Sequence, residues 1–584
     1  MRSIDRIGSI FLRQVLRRMK QLGLNQSALA KRMNVSRPYI TKVLKSDVNI
    51  SFGTAAKLAR ALEMDFFPQL NARETVASNQ TTQQSDSYSY DVLPGDLLTD
   101  DDCRELSRVF SRNYGIWSRQ APAPMKPGAR IRMSPARYRD WYAKRDFKIA
   151  RCFAEGLLIG QAIYLDVKTS RGHVAFVVQL VVDEAHRHRG IAKSMLHAAF
   201  GFSDYYAWAI VTSSPCTVSA LESATFRRGN LKRIAREVGF IRSEIFGRIG
   251  FLKGIEPQVT SAASLVNSGF FTDRSLAQPD PTDVRSRYGE LPEGHEWLAV
   301  VFQDQDPDCL DSLEQLIACS GQVVAKAYAR MPQGRQPWAG RADDEIAAIL
   351  AEMSDLPRTA RIGDFGAGSG RHLQALKKAG FHSATGIDFA PGAEALAAGV
   401  VRADCRTWQA PSGFDLILCL YDVIGSFPSS AENGRILSNI VKNLAAGGRV
   451  VLSVANRDYV AKKNMHPVDA SDRSAFLKAV FRLKPSNAMS TDGEFFEHDS
   501  LFDEKTGLFY HKEQFKDTSG DLPAEYLVVD QRYSLEDIVG LVRASGLTVE
   551  KSRYVRAGFA KAFQKTTGKE ILLICQQANH RRKL

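Results

Sequence analysis

Residues 361–376 read RIGDFGAGSGRHLQAL. An apolar approach ends in Asp364. Three glycines follow at alternate positions, Gly366, Gly368 and Gly370, and HLQAL then reads as the start of a helix. Glycine lets the backbone turn sharply and pass close to a ligand with no Cβ in the way. A strand, a glycine turn and a helix N-terminus in succession make a nucleotide-binding turn. A nicotinamide-dinucleotide turn reads G-x-G-x-x-G. Here the spacing is G-x-G-x-G, with an acid two residues ahead of it. That acid suits an ammonium group better than a pyrophosphate.

The sequence downstream extends the pattern. Eighteen residues after Gly370, the segment ATGIDFAPG places Asp388 at the end of a second short strand. A carboxylate there accepts both hydroxyls of a ribose. VVRADCRTW sets Asp404 at a third strand end, FDLILCLYDVIGSF is a fourth strand running into Tyr421 and Asp422, and GGRVVLSV is a fifth. Alternating strands and helices with acids at successive carboxyl ends predict an open, mostly parallel sheet with its ligand along that edge.

This series resembles the class I S-adenosylmethionine methyltransferases over about residues 325–577. The resemblance implies a Rossmann-like domain that uses S-adenosyl-L-methionine. It puts Asp364, Gly366 and Gly368 near the methionine part, Asp388 on the ribose and Asp404 near the adenine, with Ala367, Gly370, Phe389, Cys405 and Leu420 also among the cofactor-binding residues. YARMPQGRQPWAGRADDEI looks like the leading segment of small-molecule members, with Tyr328 and Arg341 closing over the cofactor. Methyl transfer is in-line, so catalysis is alignment plus removal of a substrate proton. Tyr421, Asp422 and His511 (in LFYHKEQF) are the candidate groups; His511 reads equally as a strand residue facing solvent. The DNA-amino methylase signature [DNS]-P-P-[YF] is missing after the fourth strand, where LYDV stands. A small molecule or protein is therefore the expected methyl acceptor.

The chain has 584 residues, enough for three or four domains. No apolar run reaches the roughly 18–20 residues that span a bilayer, so no membrane association is expected. Eight cysteines are scattered without a CxxC pair, and no histidine cluster has zinc spacing, so no metal site is expected and a cytoplasmic location is. The net charge is +14, and residues 1–70 hold thirteen Lys/Arg against four Asp/Glu, a local +9. That asymmetry points to a polyanion partner for the first segment, a solvated basic face being the alternative.

Four short helices are legible there. Phe11, Leu12, Val15, Leu16 and Met19 form an apolar stripe. Asn25 caps QSALAKRM, with Leu29 and Met33 inward. Ser36 caps RPYITKVLKS, and Ser51 opens SFGTAAKLARALEMDF. The stretch LNQSALAKRMNVSRPYITKVLKSDVNIS resembles the Cro/C1-type (XRE) helix-turn-helix family, the likeness covering about residues 8–67. The resemblance implies a recognition helix at 37–45. Arg37, Tyr39, Thr41 and Lys42 would face the major groove of double-stranded DNA, with Gln26 and Lys45 on phosphates. Relatives of this kind bind as dimers, which implies a homodimer on an operator-type site.

In the middle of the chain, 174–182 reads VAFVVQLVV, a β-branched strand, followed by DEAHRHRGIAKSMLHAAF. A strand, a basic turn with glycine and a helix N-terminus form an anion site. The segment 187–192, RHRGIA, resembles motif A of the GNAT acetyltransferases. The likeness implies an α/β domain over about 95–255 that binds acetyl-CoA through Leu180, Val182, Arg187, Arg189, Gly190, Ile191 and Ala192. Asp183 and Glu184 are the candidate bases. In SALESATFRRGNLKRIAREVGF, Arg227 stands where the family often has a tyrosine general acid. That leaves the acid unassigned among Cys216, Ser214 and Tyr206. His186, His188 and His197 read as solvated or phosphate-facing.

Polar residues 71–100 and the turn-rich 255–295 are the two breaks in pattern. HEWLAVVF, beyond the second break, either finishes the middle sheet or bridges to the last unit. The expected organisation is a helix-turn-helix at 1–70, a linker at 71–94, a GNAT-like domain at 95–305 and a methyltransferase domain at 306–584. The function it implies is a bifunctional transferase with a DNA-binding head. The alternative is a DNA-binding regulator, or a toxin–antitoxin-like fusion, whose cofactor domains sense or modify a partner.

Overall fold

A computed structural model describes Met19, residues 24–33, Val35, Ile40, 88–274, 280, 283–307, 312–330, 339–459, 465–485, 499–514, 524–555, 562–563 and 568–578. The chain divides into two units, Met1–Ser85 and Asp86–Leu584. In the first, the helix Gln26–Met33 starts where the Ala28 N–H donates to Asn25 Oδ1 at 2.9 Å. Leu29, Ala30, Met19 and Ile40 are buried. The cap and the inward Leu29 agree with the sequence.

The second unit contains three sheets. The first has eight strands: β1 (Tyr88–Pro94), β2 (Phe147–Ala154), β3 (Leu157–Thr169), β4 (Gly172–Val182), β5 (Ala207–Thr212), β6 (Pro257–Val259), β7 (Ser264–Asn267) and β8 (His295–Phe302). Their order is β1-β2-β3-β4-β5-β8-β7-β6. Only β4 and β5 run parallel, and they pair only from Val174 to Val177 against Ala207 to Ile210. The rest of β4, through Val182, continues beside β3 alone. The two strands therefore splay apart and leave a cleft at their carboxyl ends. Helices Asp100–Asn113 and Pro135–Tyr142 pack on one face through Leu106, Val109, Phe110 and Tyr138. Helices Ile191–Phe200 and Pro215–Thr225 pack on the other.

Two sequence readings are corrected here. Residues 88–94, read as the end of a linker, form β1, because their alternating apolar residues seat Tyr90 in the core against β2. The turn-rich stretch 255–295 does not separate domains. It supplies β6 and β7, strands of three and four residues, too short to show a period. HEWLAVVF is β8 and lies inside this sheet, beside β5.

The second sheet comprises β9 (Ile362–Phe365), β10 (Ala384–Asp388), β11 (Val400–Arg402), β12 (Phe414–Cys419), β13 (Leu444–Ala455), β18 (Leu547–Val555), β19 (Ala562–Phe563) and β20 (Glu570–Gln577), in the order β11-β10-β9-β12-β13-β20-β18-β19. β9 to β13 are parallel to their neighbours, and β20, β18 and β19 add antiparallel pairs. The order reverses at β9, between β10 and β12, which makes the carboxyl end of β9 the switch point where such sheets bind ligands.

A third sheet, β14 (Met465–Pro467), β15 (Ser500–Asp503), β16 (Leu508–Gln514) and β17 (Glu525–Gln531), joins the other two. Its Leu501, Tyr510, Leu527 and Val529 share one core with Phe202 and Phe226 of the first domain and with Phe476, Leu477 and Val480 of the helix Arg473–Arg482. Each buried large side chain of this kind contributes roughly 1.5–3 kcal/mol. Main-chain bonds reinforce the contact: the Phe202 N–H donates to the Glu525 carbonyl at 2.7 Å, and the Tyr526 hydroxyl donates to the Ala198 carbonyl at 2.5 Å.

Candidate active sites

The first candidate site lies at the carboxyl edge of the second sheet. Gly366, Gly368 and Gly370 all have positive φ, at +81°, +53° and +78°, and Gly370 opens the helix Arg371–Lys378. A Cβ on Gly366 would overlap Val423, while no atom lies within 4 Å of one added at Gly368. The turn therefore has one tightly packed side and one open side. Across it, Asp388 Oδ2 accepts the Gly368 N–H at 2.8 Å and Oδ1 accepts the Ala390 N–H at 2.9 Å. Burial raises the Asp388 carboxyl against these two bonds. Phe389, beside it, is 50% exposed, an open ring face next to a carboxylate.

Asp404 accepts from the Arg406 side chain at 2.6 Å, and Arg406 also reaches Glu432, so the acid at the third strand end is already neutralised by an arginine. Cys405 has its thiol pushed up to about 12 by burial and the Asp388 charge. Leu420 and Ala367 are buried.

Asp364 is buried, and its Oδ2 makes no hydrogen bond within 3.5 Å but forms an ion pair with His372 Nδ1 at 3.6 Å. His372 turns its other nitrogen to Glu345 Oε2 at 2.8 Å. Arg371 pairs with the same carboxylate at 2.5 Å, and the Tyr421 hydroxyl donates to its other oxygen. Tyr421 holds φ at +64°, an uncommon conformation for a residue with a Cβ, and its N–H donates to Ser453 Oγ at 2.6 Å. Burial opposes the Glu345 charge, yet His372, Arg371 and Tyr421 hold its pKa at about 2. Burial likewise opposes a charged His372, and Asp364 and Glu345 more than offset it. Arg371 and His372 sit in the stretch 361–376 itself. Their role escapes the sequence because Glu345 lies 27 residues before His372.

Beyond the turn, Asp422 is exposed at its surface. Burial and then Asp530 raise its carboxyl, and His511, Arg532 and Lys569 act against the rise. His511, on β16, is 12% exposed, with Nδ1 3.5 Å from Asp530 and Nε2 3.2 Å from Glu513. Burial opposes its charged form, and Asp530 and Glu513 raise it nonetheless. Glu570, at the start of β20, is pushed up to about 8 by burial and Asp422, and its Oε2 has no partner. Asp422 and His511, distant in sequence, are thus close enough for their charges to act on each other. His511 is not a solvent-facing strand residue. Arg341 acts on Glu570 from the same side, and Tyr328 falls in the last turn of the helix Leu313–Arg330.

The second candidate site is the splayed cleft of the first sheet. Gly190, at φ +74°, opens the helix Ile191–Phe200, with Ile191 buried and Ala192 half-buried. Leu180 and Val182 lie on the splayed part of β4. Arg187 donates to the Asn113 carbonyl at 2.6 Å and Arg189 to the Tyr88 hydroxyl at 2.9 Å. Gln315 donates to the Arg189 carbonyl at 3.3 Å, and a Cβ on Gly190 would overlap its side chain. Asp183 accepts the Ala185 N–H, and the Glu184 N–H donates to Asn113 Oδ1 at 3.1 Å. Arg227 is buried, donates to the Gln305 and Thr225 carbonyls, and lies over Phe481 at 4.2 Å, so it knits domains together and faces no substrate.

In the head, Gln26 begins the helix Gln26–Met33. Arg37, Tyr39, Thr41, Lys42 and Lys45 lie outside the described residues. Among the described residues no helix is long and apolar enough to cross a membrane.

Three family models match the chain. In order they are Helix-turn-helix over residues 15–67, Acetyltransferase (GNAT) family over 114–205 and Methyltransferase domain over 338–552. No curated protein matches it. Among solved structures, the CcbJ methyltransferase from Streptomyces caelestis is 12% identical, the match covering 44% of this chain and 98% of that one, with a TM-score of 0.33. An S-adenosylmethionine-dependent methyltransferase from Clostridium acetobutylicum is 15% identical over 43% and 94%, with a TM-score of 0.29. The 1,6-didemethyltoxoflavin-N1-methyltransferase from Burkholderia thailandensis is 17% identical over 42% and 83%, at 0.26. The chain is a transferase that carries helix-turn-helix, GNAT and methyltransferase domains in that order.

Glu345 gives a test of the buried network. Its depressed pKa adds stability that is complete above the ordinary carboxylate range and fades as pH falls from about 4.5 through about 2. Glu345→Gln leaves Arg371 and His372 buried without their anion, so it should destabilise the protein by about 3–5 kcal/mol near neutrality. In urea titrations the gap between variant and wild type should narrow as the pH drops through that window. A gap that stays constant with pH would contradict the network.

Proposed function

We propose that the chain transfers a methyl group from S-adenosyl-L-methionine to a nitrogen of a small-molecule or protein acceptor, and an acetyl group from acetyl-CoA to an amine. The observation that carries the methyl half is the glycine turn 366–370 at the switch point of the second sheet, with Asp388 bonded across it to the Gly368 N–H. The donor set fits the cofactor: the buried Asp364 carboxylate, shared with His372, for an ammonium, Asp388 for a ribose diol, and the exposed Phe389 ring for an adenine face. When bound there, the cofactor supplies a methyl group on a sulfonium. Asp422, whose carboxyl is raised by burial and Asp530, takes the proton that the acceptor nitrogen sheds, and His511, held between Asp530 and Glu513, stays beside it as a cation. Asp422 orients the nitrogen, and the strained Tyr421 fixes Asp422 at the cleft. A cleft carrying Asp422, Asp530 and Glu570 favours an acceptor with a cationic or hydrogen-rich nitrogen.

The acetyl half rests on the turn 187–192. Backbone N–H groups at a helix N-terminus, with Arg187 and Arg189 flanking, suit the pyrophosphate of acetyl-CoA. The head is proposed to bind double-stranded DNA as a homodimer, through Gln26, Arg37, Tyr39, Thr41, Lys42 and Lys45. The +9 charge of residues 1–70 supports this. The seven described cysteines are free, in keeping with a cytoplasmic location.

Mass spectrometry of a metabolite extract incubated with full-length protein and both cofactors tests the two transfers. One compound class should gain a methyl group and one an acetyl group. Asp388→Ala should abolish only the methyl gain and Gly190→Val only the acetyl gain. If these variants change DNA affinity and nothing else, the chain is a regulator that senses its cofactors. For the head, DNA affinity should fall linearly with the logarithm of salt concentration; a flat dependence would remove the polyanion argument.

A further inference from the structure

A carboxylate that the sequence did not single out lies on the opposite face of the splayed cleft from the cofactor turn. Glu296 is the second residue of β8, next to Trp297, which pairs with Thr212 at the carboxyl end of β5. It is therefore level with the mouth of the splay. Its neighbours come from two other elements. Ser268 and Arg274 belong to the segment after β7, and Ser268 hydrogen-bonds to the carboxyl group. Arg274 directs its guanidinium to the carbonyls of Leu291, Pro292 and His295. Tyr114 follows the helix Asp100–Asn113 and is near enough to feel the Glu296 charge.

Tyr114 also ties Glu296 to the end of β4. The residue before it, Asn113, accepts the Glu184 N–H at the point where β4 leaves the sheet. Around it stand three half-buried rings. Tyr114 lies 6.0 Å from Phe270, and Trp117 lies 5.1 Å from Phe270, both edge to face. Trp117 is locked to this wall by its bridge to Thr272. A row of partly open aromatic rings whose Tyr114 feels the charge of a nearly buried acid fits a cation or amine carried on an apolar body.

We propose that Glu296 is the proton acceptor of acetyl transfer, and that Tyr114, Trp117 and Phe270 receive an amine borne on an aromatic or similarly flat apolar group. The assignment rests on the acetyl-transfer reading of the first domain. The cofactor comes in from the face of the helix Ile191–Phe200, and the amine from the face of the helix Asp100–Asn113. The two meet where β4 and β5 diverge. The nitrogen lone pair forms the new C–N bond as the thioester C–S bond breaks. Glu296 takes the proton the nitrogen sheds, and the departing thiolate is protonated from solvent. Burial raises Glu296 to about 7, with Ser268 and Arg274 limiting the rise, which suits a base working near neutrality. Asp183, a base expected from sequence, accepts from the Ala185 N–H and the Asn113 side-chain amide, and the Glu184 backbone N–H donates to Asn113 Oδ1 at the end of β4.

The test uses full-length protein, acetyl-CoA and phenethylamine as probe, with spermidine for comparison, and follows release of the CoA thiol. Acetyl-CoA binding is measured first by calorimetry. The expected result is faster turnover of phenethylamine, by tenfold or more in kcat/KM, with a rise through a pKa near 7. Glu296→Gln should lower kcat by about 100-fold or more and erase that rise, with acetyl-CoA affinity unchanged. Trp117→Ala should raise the KM for phenethylamine and leave kcat near wild type, a readout that holds even if Glu296→Gln folds poorly. If acetyl-CoA does not bind, the acetyl-transfer reading fails and the proposal with it. If acetyl-CoA binds but phenethylamine is not preferred, or if Glu296→Gln keeps the pH-dependent rise, the proposal alone is overturned.

Discussion

The backbone of β17 passes so close to Gly201 that a Cβ at this position would overlap the Glu525 carbonyl oxygen, and Gly201 holds φ at +55°. Only glycine satisfies both conditions. Around that contact the Phe202 N–H bonds the same carbonyl, the Glu525 N–H bonds Ser203 Oγ at 2.9 Å, and Lys512 Nζ pairs with Glu525 at 3.0 Å in a buried setting. The two enzyme domains are thereby built into one body, and the arrangement of both sites follows from it.

The small third sheet has a different task on each face. Tyr510, Leu527 and Val529 point into the core shared with the acetyltransferase domain. Phe509, His511 and Asp530 point the other way, and the charges of His511 and Asp530 reach Asp422. A period of two residues thus separates the side chains that fuse the domains from those proposed to face the methyl acceptor. The helix Leu313–Arg330 completes the link. Cys319 and Val323 pack into the first core, Gln315 lies on Gly190, and the chain beyond it leads toward Arg341 and Glu345 at the other cofactor turn.

Local features of both sites were legible in the sequence, and features made by distant residues were not. Asp364, the three glycines and Asp388 announce themselves because strand, turn and acid are consecutive. The strand before Arg187 was legible for the same reason. By contrast, Arg371 and His372 stand in plain view, but their meaning depends on Glu345 in a preceding helix. Asp404 reads as a ligand contact, and only the structure shows that Arg406, two residues on, pairs with it. β1 was hidden in a polar neighbourhood. Glu296 lies in an apolar run that signals a strand, and its partners, Tyr114 and Ser268, come from segments with no pattern of their own. His511 could be read as a solvent-facing strand residue until β17 brought Asp530 beside it.

If the two transfer sites are separate and coexist in one body, both cofactors must bind the same molecule at once. Native mass spectrometry of the full chain with S-adenosylhomocysteine and coenzyme A measures this directly. The account predicts a species carrying one of each per chain, with Gly368→Val losing only the first. Mutual exclusion of the two, or failure of either to bind, would contradict it.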